Sequence, residues 1–433
     1  MRFAMPVRLC KGTVWGWSVL AFCMLSAVWG MPSEASASDG ERIVREVVLM
    51  RHGVRAPTQS AKTLRQWSTH AWPVWPVQRG QLTPRGAELV TGFWRHWQPV
   101  LARHGVLPAA GCPAAKDIWV HADLDQRTRA TAQAVLDGVA PGCGLAFSVT
   151  TQAVDPLFNP VKAGLSRYDP QALAQEISQE RLERLQVALE EPLRLLQAMS
   201  GGPSPALCRE QGVPAPCAFA DMPTRLHVGQ AGDSVRIEGG AGIGSSLAEI
   251  FLLEYAQWPE KTAAWGTGNT QAIQAILPAH SATFSTLNRS AAVAVPRGGV
   301  LLGAIAHLLV DKDAPRLTVL VGHDTNIANM GGLLRMEWAV SGYPLNTTPP
   351  GCMLVFSLVE SRPGERYVRV AFMAESLEAL RSATPVAQGT ERMEISVPQC
   401  RKPCRAEEFY TLVSRLAPTP LVEAGQAAVR SRF

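Results

Sequence analysis

Three short apolar segments, each followed at once by a polar cluster, constrain the fold of this 433-residue chain more than any other feature. Runs of this length that are rich in β-branched residues predict strands buried on both faces. In an open α/β sheet, ligands bind beyond the carboxyl ends of such strands, so we expect the clusters to share one edge. The segments and their clusters are 47–50 with Arg51, His52 and Arg55; 118–122 with Asp123 and Arg127; and 316–322 with His323 and Asp324.

Together the clusters contain the groups that phosphoryl transfer needs. Guanidinium groups are rigid, permanently charged forks that suit a phosphate dianion. A neutral imidazole, here His52, can attack phosphorus, and a carboxylic acid, here Asp324, can protonate the leaving oxygen before water hydrolyses the phosphohistidine. A protonated Asp324 favours an acidic pH optimum. Because arginine neutralises the phosphate charge and no HExxH motif occurs, we expect no metal and no cofactor.

The tetrapeptide Arg103-His104-Gly105-Val106 repeats the letters of the first cluster and provides an internal comparison. It ends an amphipathic helical run that begins near Ala87, and Gly105 suits the end of a helix. No strand precedes it and no second arginine follows it. We therefore interpret the second copy as a structural turn, on its context rather than its letters.

Two further stretches require a choice between alternatives. On a helix Arg127 can pair with Asp123 one turn away, whereas Arg129 points about 200° from Arg127, so Arg127 is the predicted phosphate ligand. The glycine-rich segment 239–246 invites comparison with a nucleotide-binding loop, but Ser245 stands where the last glycine would be. We predict a tight turn with a serine cap before a helix over 247–258.

The N-terminus has the composition of a secretory signal peptide. Arg2, Arg8 and Lys11 precede a mainly apolar run over 14–30 and then small residues to Ser38, so we predict that residues 1–38 are removed. An uncleaved anchor is the alternative. No later stretch is expected to be long and apolar enough to span a membrane. Loss of residues 1–30 lowers the formal charge from +5 to +2, and without a basic run no nucleic acid partner is expected. The predicted location is periplasmic or secreted.

Seven cysteines remain beyond the predicted signal peptide, and in an exported protein disulfides are the expected state. Proximity along the chain favours the pairs Cys208–Cys217 and Cys400–Cys404. Cys112–Cys143 is then the longer closure, and Cys352 is left as a free thiol. Zinc at Cys400 and Cys404 is the alternative, but no histidine lies near them in the sequence.

The order of strand and helix patterns predicts two domains. Residues 39–165 and 290–433 contain the strand segments and are predicted to form one α/β domain. Residues 166–289 read as helices inserted between two halves of the sheet, and we predict a smaller, mainly helical domain there.

The first and third clusters, Arg51-His52-Gly53-Val54-Arg55-Ala56-Pro57 and Gly322-His323-Asp324, resemble the two-part signature of the histidine acid phosphatase family. The chain is most similar to the bacterial phytase and periplasmic glucose-1-phosphatase branch of that family. Further matching segments are Trp72-Pro73-x-Trp75, Leu82-Thr83-Pro84-Arg85-Gly86, Gln126-Arg127-Thr128, Asp155-Pro156-Leu157-Phe158-Asn159-Pro160, Glu249-Ile250-Phe251-Leu252-Leu253 and His323-Asp324-Thr325-Asn326.

This resemblance implies a mixed sheet flanked by helices, as in phosphoglycerate mutase, with a smaller helical domain. It also implies a role for each site residue. His52 would be the nucleophile and Asp324 the proton donor. The scissile phosphate would be bound by Arg51, Arg55, Arg127 and His323, and substrate contacts would come from Thr58, Gln59, Asp123, Glu249 and Thr325.

Gln59 departs from the pattern, because phytases of this branch usually carry lysine directly after the threonine of this motif. Losing that cation should weaken the holding of a highly anionic inositol phosphate. The predicted activity is an exported acid phosphomonoesterase acting on phytate, with a sugar-phosphate phosphatase resembling glucose-1-phosphatase as the alternative. A mutase of the wider superfamily and a catalytically silent phospholigand-binding protein are more distant alternatives. We expect a phosphorylated small molecule as the partner, no membrane after signal removal, and a monomer.

Overall fold

A six-stranded mixed sheet contains the three predicted strands side by side. The computed structural model describes residues 41–362, 364–382 and 390–430. The strand order is β2-β5-β1-β6-β7-β8, in which β1, β2 and β5 run parallel and the last three strands are antiparallel to their neighbours. The strands are β1 Arg42–Arg51, β2 Ile118–Ala122, β5 Leu317–Gly322, β6 Met353–Arg362, β7 Glu365–Glu375 and β8 Thr390–Ile395, and a separate hairpin pairs β3 Arg225–Val228 with β4 Val235–Glu238.

Helices cover both faces of the sheet and make up most of the chain between β2 and β5. They are α1 Ala61–Trp67, α2 Pro84–Arg103, α3 Gln126–Val139, α4 Pro170–Glu176, α5 Gln179–Ala188, α6 Glu190–Ser200, α7 Pro205–Glu210, the 3₁₀ turn Phe219–Asp221, α8 Gly240–Gln257, α9 Ala263–Gly266, α10 Thr270–Asn288, α11 Ala291–Val310, α12 Asp324–Leu333, α13 Leu377–Ser382, α14 Ala406–Leu416 and α15 Thr419–Arg430.

The core is arranged in three apolar clusters. One fills the face of the sheet covered by α11, α12 and α14, and the second lies beneath α2 and α3 on the other face. The third is built mainly from helices α4 to α10. Successive residues of β1 alternate between the first two clusters, as the period-2 geometry of a strand requires. The predicted fold class is confirmed, whereas the predicted domain boundaries stay a prediction.

The glycine-rich segment is helical, so the predicted tight turn with a serine cap is wrong. Helix α8 already begins at Gly240, and Gly239, with φ of 79°, is its N-cap. A Cβ on Gly240 would lie 2.3 Å from the Phe219 carbonyl oxygen, and one on Gly242 would lie 2.3 Å from that of Ile237. Close packing of this helix against its neighbours explains the glycines, because any side chain would overlap backbone.

One helix of the described chain has the length and composition of a membrane span, contrary to expectation. It is α11, whose mean hydropathy is 1.7 over 18 residues. However, 78% of that window is buried inside the protein, where it packs on α12, α15 and the sheet. The expectation about composition was wrong because a helix that is buried on most sides is as apolar as a transmembrane one. The predicted signal peptide and its anchor alternative lie outside the described residues.

Several elements were not predicted, and each is short or peripheral. Strand β8 lies at the sheet edge, α15 is the last helix of the described chain, and α1 is a seven-residue helix in the segment after β1. Short elements carry too few periods of hydrophobic alternation to be recognised from sequence.

In the described part of the chain, three disulfides form the predicted pairs. They are Cys112–Cys143, Cys208–Cys217 and Cys400–Cys404, so the zinc alternative is wrong at the last pair. Among the described cysteines, Cys352 has no disulfide and is buried.

Candidate active site

The first cluster lies at the carboxyl end of β1, in the middle of the sheet. The His52 amide donates to the Gly322 carbonyl at 3.1 Å, so the loops after β1 and β5 begin side by side. A Cβ on Gly53 would lie 2.9 Å from the Gly86 carbonyl oxygen, and one on Gly86 would lie 2.2 Å from that of Val54. These two glycines let the loop press against the start of α2, which holds the side chains of the first cluster at the edge of the sheet.

Arg51 is fully buried and surrounded by acceptors. Its guanidinium forms short hydrogen bonds with the Glu249 carboxylate and the Thr348 carbonyl, and it lies 3.4 Å from Asp324 Oδ2. Burial lowers the pKa of Arg51, but the nearby carboxylates of Glu249 and Asp324 raise it by a larger amount, so the pKa lies above its usual value. Arg51 therefore stays charged and is held in one orientation.

His52 is buried among positive charges. Burial lowers its pKa well below the usual range, and Arg51, Arg55 and Arg127 lower it further. Its Nδ1 lies 2.9 Å from the Gly53 carbonyl oxygen. Because a carbonyl only accepts, Nδ1 carries the proton, and Nε2 keeps a free lone pair. The lowered pKa favours the neutral form of the ring, which is the form that a nucleophile requires.

The second and third clusters meet through His323. Its Nε2 lies 2.7 Å from Asp123 Oδ2 and its Nδ1 lies 3.4 Å from the Arg127 guanidinium. Burial would raise the pKa of Asp123, but the hydrogen bond and the charge of His323 lower it. Arg127 pairs with Asp125 at 2.6 Å, so the expected pairing with Asp123 is wrong. The reason is that Asp123 lies before α3 and turns toward His323 instead.

Asp324 is the first residue of α12, directly after β5. Burial would raise its pKa, but Arg51, Arg55, His280 and His323 together lower it below the usual range. The Thr325 amide donates to Asp324 Oδ1 at 2.7 Å. This carboxyl is consequently an anion near neutral pH.

The remaining predicted residues line the approach to this centre. Arg55 is buried, and its guanidinium lies 3.8 Å from Glu249. Thr58 is exposed, and Gln59 is half-buried with an Oε1 that has no hydrogen-bond partner. The structure therefore brings Arg51, His52, Arg55, Arg127, His323 and Asp324 into one cluster with Asp123 and Glu249, whereas Thr58 and Gln59 lie in the loop after β1.

Three residues near the centre were not predicted from the sequence. Asp125 pairs with Arg127, Asn159 donates to Asp123 Oδ2 at 2.8 Å, and His280 faces Glu249 at 3.7 Å. Asn159 and Glu249 lie in segments that carried the family resemblance, and this signal could have drawn attention to Asn159. Nothing local distinguishes His280, which lies inside the apolar helix α10.

One group of side chains in the described chain has the composition of a metal site. Ligand atoms of Asp123, Asp125 and His323 lie within 4.8 Å of one another. However, the Arg127 guanidinium contacts both Asp125 and His323. A cation is thus already in place, and we assign no metal to these residues.

A buried histidine with a free Nε2, three converging arginines and a carboxyl group define a class of enzyme. They suit a phosphomonoesterase that transfers phosphate to histidine, with arginine in place of a metal.

Comparison with known proteins leads to the same class. Residues 43–187 match the sequence model of the histidine phosphatase superfamily (branch 2). The chain is 34% identical over 377 residues to phytase AppA of Escherichia coli, covering 81% of this chain and 85% of that protein. It is 28% identical to glucose-1-phosphatase of Salmonella typhimurium, covering 86% and 91%. The solved Hafnia alvei phytase superposes with a TM-score of 0.82 at 34% identity, covering 89% of this chain and 99% of that one.

The chain therefore belongs to branch 2 of the histidine phosphatase superfamily, as a histidine acid phosphatase of the phytase and glucose-1-phosphatase branch. It is a phosphoric monoester hydrolase.

Proposed function

We propose that the enzyme hydrolyses phosphate monoesters through a phosphohistidine at His52. Arg51, Arg55, Arg127 and His323 bind the phosphate. The Nε2 lone pair of His52 attacks phosphorus, the bond from phosphorus to the ester oxygen breaks, and the Asp324 carboxyl gives its proton to that oxygen. Water then attacks the phosphohistidine and returns a proton to Asp324, which releases inorganic phosphate and restores neutral His52.

The observation that carries this proposal is the tautomer of His52. With Nδ1–H donated to the Gly53 carbonyl and arginines lowering its pKa, the ring presents an unprotonated nitrogen where phosphate would bind. The same arginines that activate the nucleophile would neutralise the phosphate. Asp123 orients His323, and Thr58, Gln59 and Thr325 are proposed contacts to the rest of the substrate.

The proposed substrate is phytate, and the enzyme is proposed to act as a monomer in the periplasm or outside the cell. Identity to a phytase exceeds identity to a glucose-1-phosphatase, and one solved relative is a Hafnia alvei phytase in complex with myo-inositol hexakis sulphate. Three disulfides support export. Glucose 1-phosphate is the second candidate substrate. Gln59 favours it, because a neutral amide offers no positive charge to a highly anionic substrate such as phytate.

The first experiment tests the mechanism with p-nitrophenyl phosphate. We expect His52→Ala and Asp324→Asn to lose most of the activity, and the chain supplies a matched control in His104→Ala, the same substitution in the second Arg-His-Gly copy. His104 lies at the end of α2, outside the site, so this variant should retain wild-type turnover. A wild-type protein that binds phosphate but turns nothing over would instead be a phospholigand-binding protein.

The second experiment compares kcat/KM for phytate and glucose 1-phosphate. Phytate is expected to be the better substrate, and the opposite order would favour the sugar-phosphate phosphatase. Gln59→Lys should raise kcat/KM for phytate more than for glucose 1-phosphate, with Gln175→Lys, at an exposed position of α4, as the control for a general charge effect.

A further inference from the structure

Glu249 and His280 face each other in the wall of the phosphate site, and neither atom at their contact has a partner. His280 Nε2 lies 3.7 Å from Glu249 Oε2, and both side chains are less than a tenth exposed. Neither atom makes a hydrogen bond. The gap is about 0.9 Å longer than a charge-assisted hydrogen bond. Two buried polar atoms without hydrogen bonds destabilise the protein, so a hydrogen bond between them is favoured.

The other ring nitrogen of His280 determines what lies in that gap. Nδ1 is 3.1 Å from the Ser245 hydroxyl and 3.2 Å from the Ser245 carbonyl oxygen. If the hydroxyl donates to Nδ1, the ring proton is on Nε2 and points at Glu249. If Nδ1 donates to the carbonyl, Nε2 and the carboxylate face each other with lone pairs, and a proton between them removes the repulsion. In both cases the contact is one that holds a proton.

The other oxygen of the Glu249 carboxylate, Oε1, competes with the substrate phosphate for two arginine side chains. Oε1 forms the short contact with Arg51 and lies 3.8 Å from Arg55. These are two of the guanidiniums that are proposed to bind phosphate. The more negative charge Glu249 keeps on Oε1, the more strongly it holds them, and the less phosphate gains by binding.

We propose that His280 is a positioning residue that shares a proton with Glu249 and thereby sets the affinity of the site for phosphate. The inference rests on the proposed function. An N–H from His280 draws the carboxylate charge toward Oε2, which loosens the hold of Oε1 on Arg51 and Arg55. The charged groups around the pair are those two arginines and Asp324 on α12. Asp324 is close enough for His280 to contribute to the lowering of its pKa.

The experiment measures inhibition by inorganic phosphate in the full-length mature enzyme. His280→Phe keeps an aromatic ring against Phe284, whose ring centre is 5.0 Å away, but removes the donor. We expect Ki for phosphate and KM for p-nitrophenyl phosphate to rise roughly tenfold, with kcat within about twofold of wild type. His280→Gln, whose amide can still donate to Glu249, should restore most of the affinity, whereas the shorter His280→Asn should not.

The matched control is His307→Phe. His307 also faces an acid, Asp311, at 3.1 Å, but on α11, and its loss should leave Ki unchanged. A double variant tests the route, because in a Glu249→Gln background His280→Phe should change Ki by less than about twofold. Melting temperatures with and without phosphate separate loss of folding from loss of affinity.

An unchanged Ki in His280→Phe would overturn the inference, as would an equal rise in the Glu249→Gln background or a fall in kcat with KM unchanged. If His280→Phe does not fold, the Asn and Gln variants decide, and equal Ki values for these two would also overturn it. Failure of the proposed function gives a different result, since wild type itself would then lack phosphatase activity. If the wild type is active and the Ki of His280→Phe is unchanged, the role of His280 is refuted and the proposed function stands.

Discussion

The pKa of Asp324 should rise when substrate binds, and this makes a quantitative prediction about pH profiles. Arg51 lies 3.4 Å from the Asp324 carboxylate and helps to lower its pKa. A proton donor must be protonated, so in the free enzyme the alkaline fall in activity begins at low pH. A phosphate bound to Arg51 takes over part of that interaction and adds negative charge beside Asp324, and both effects favour the protonated carboxyl.

The size of the shift follows from the distance. Two charges 3.4 Å apart interact by about 5 kcal/mol at an effective dielectric constant of about 20. If phosphate takes over half of this, the pKa of Asp324 rises by about two units, at about 1.4 kcal/mol per unit. The profile of kcat/KM reports the free enzyme and that of kcat the enzyme–substrate complex. The alkaline limb of kcat should therefore lie about two pH units above that of kcat/KM.

The assay is p-nitrophenyl phosphate hydrolysis from about pH 3 to pH 8. The substrate itself loses its second proton in this range, which affects kcat/KM. Asp324→Asn provides the correction, because its residual activity keeps the substrate's ionisation and loses that of Asp324. If the corrected limbs of kcat and kcat/KM coincide, or if the kcat limb lies lower, the reasoning is refuted.

Two further predictions concern stability. Gly86→Ala should lower the free energy of unfolding by about 3 kcal/mol, because its Cβ would lie 2.2 Å from the Val54 carbonyl oxygen. Gly105→Ala, with φ of 71° and nothing within 4 Å, should cost only about 1 kcal/mol, and equal shifts in urea denaturation would contradict this account. Burial raises the pKa of Glu254 from 4.5 to about 7. Its contribution to stability is therefore fully present below about pH 4.5 and is lost as pH rises through 7, by about 3 kcal/mol. Glu254→Gln should thus be more stable than wild type at pH 7.5, with a smaller difference at pH 4.5, and a pH-independent difference in urea midpoints would contradict the assignment.

The strands and the reactive cluster were predictable because their signals are local. The predicted segments 47–50 and 316–322 lie at the carboxyl ends of β1 and β5, directly before the polar clusters, so the sequence alone indicated both the strand and its functional end. The same reasoning separated the motif at Arg51 from its copy at Arg103, which lies at the end of α2. A parallel pairing of neighbouring strands then brings His52 and His323 together, and the structure has their ring centres 5.7 Å apart.

Local signals failed where close packing decides the structure. The glycines at the start of α8 read as a turn from their composition, but they permit backbone contacts with Phe219 and Ile237. Helix α11 has the length and composition of a membrane span because most of it is buried inside the protein. The glycines of α8 lack side chains and α11 carries little charge. Only the elements packed against these helices explain why.

The sequence by itself determined which side chains could perform the chemistry, because residue type sets charge, nucleophilicity and hydrogen-bonding capacity. The tertiary structure alone decided how those groups are tuned. Arg51 meets Glu249 across 198 residues of sequence, and His280 reaches the same carboxylate from another helix. Burial and short distances determine how strongly charges interact, and neither can be read from a local pattern. The motifs therefore indicated which reaction the residues can perform. The affinity for phosphate and the pH dependence of the site are determined by the tertiary contacts.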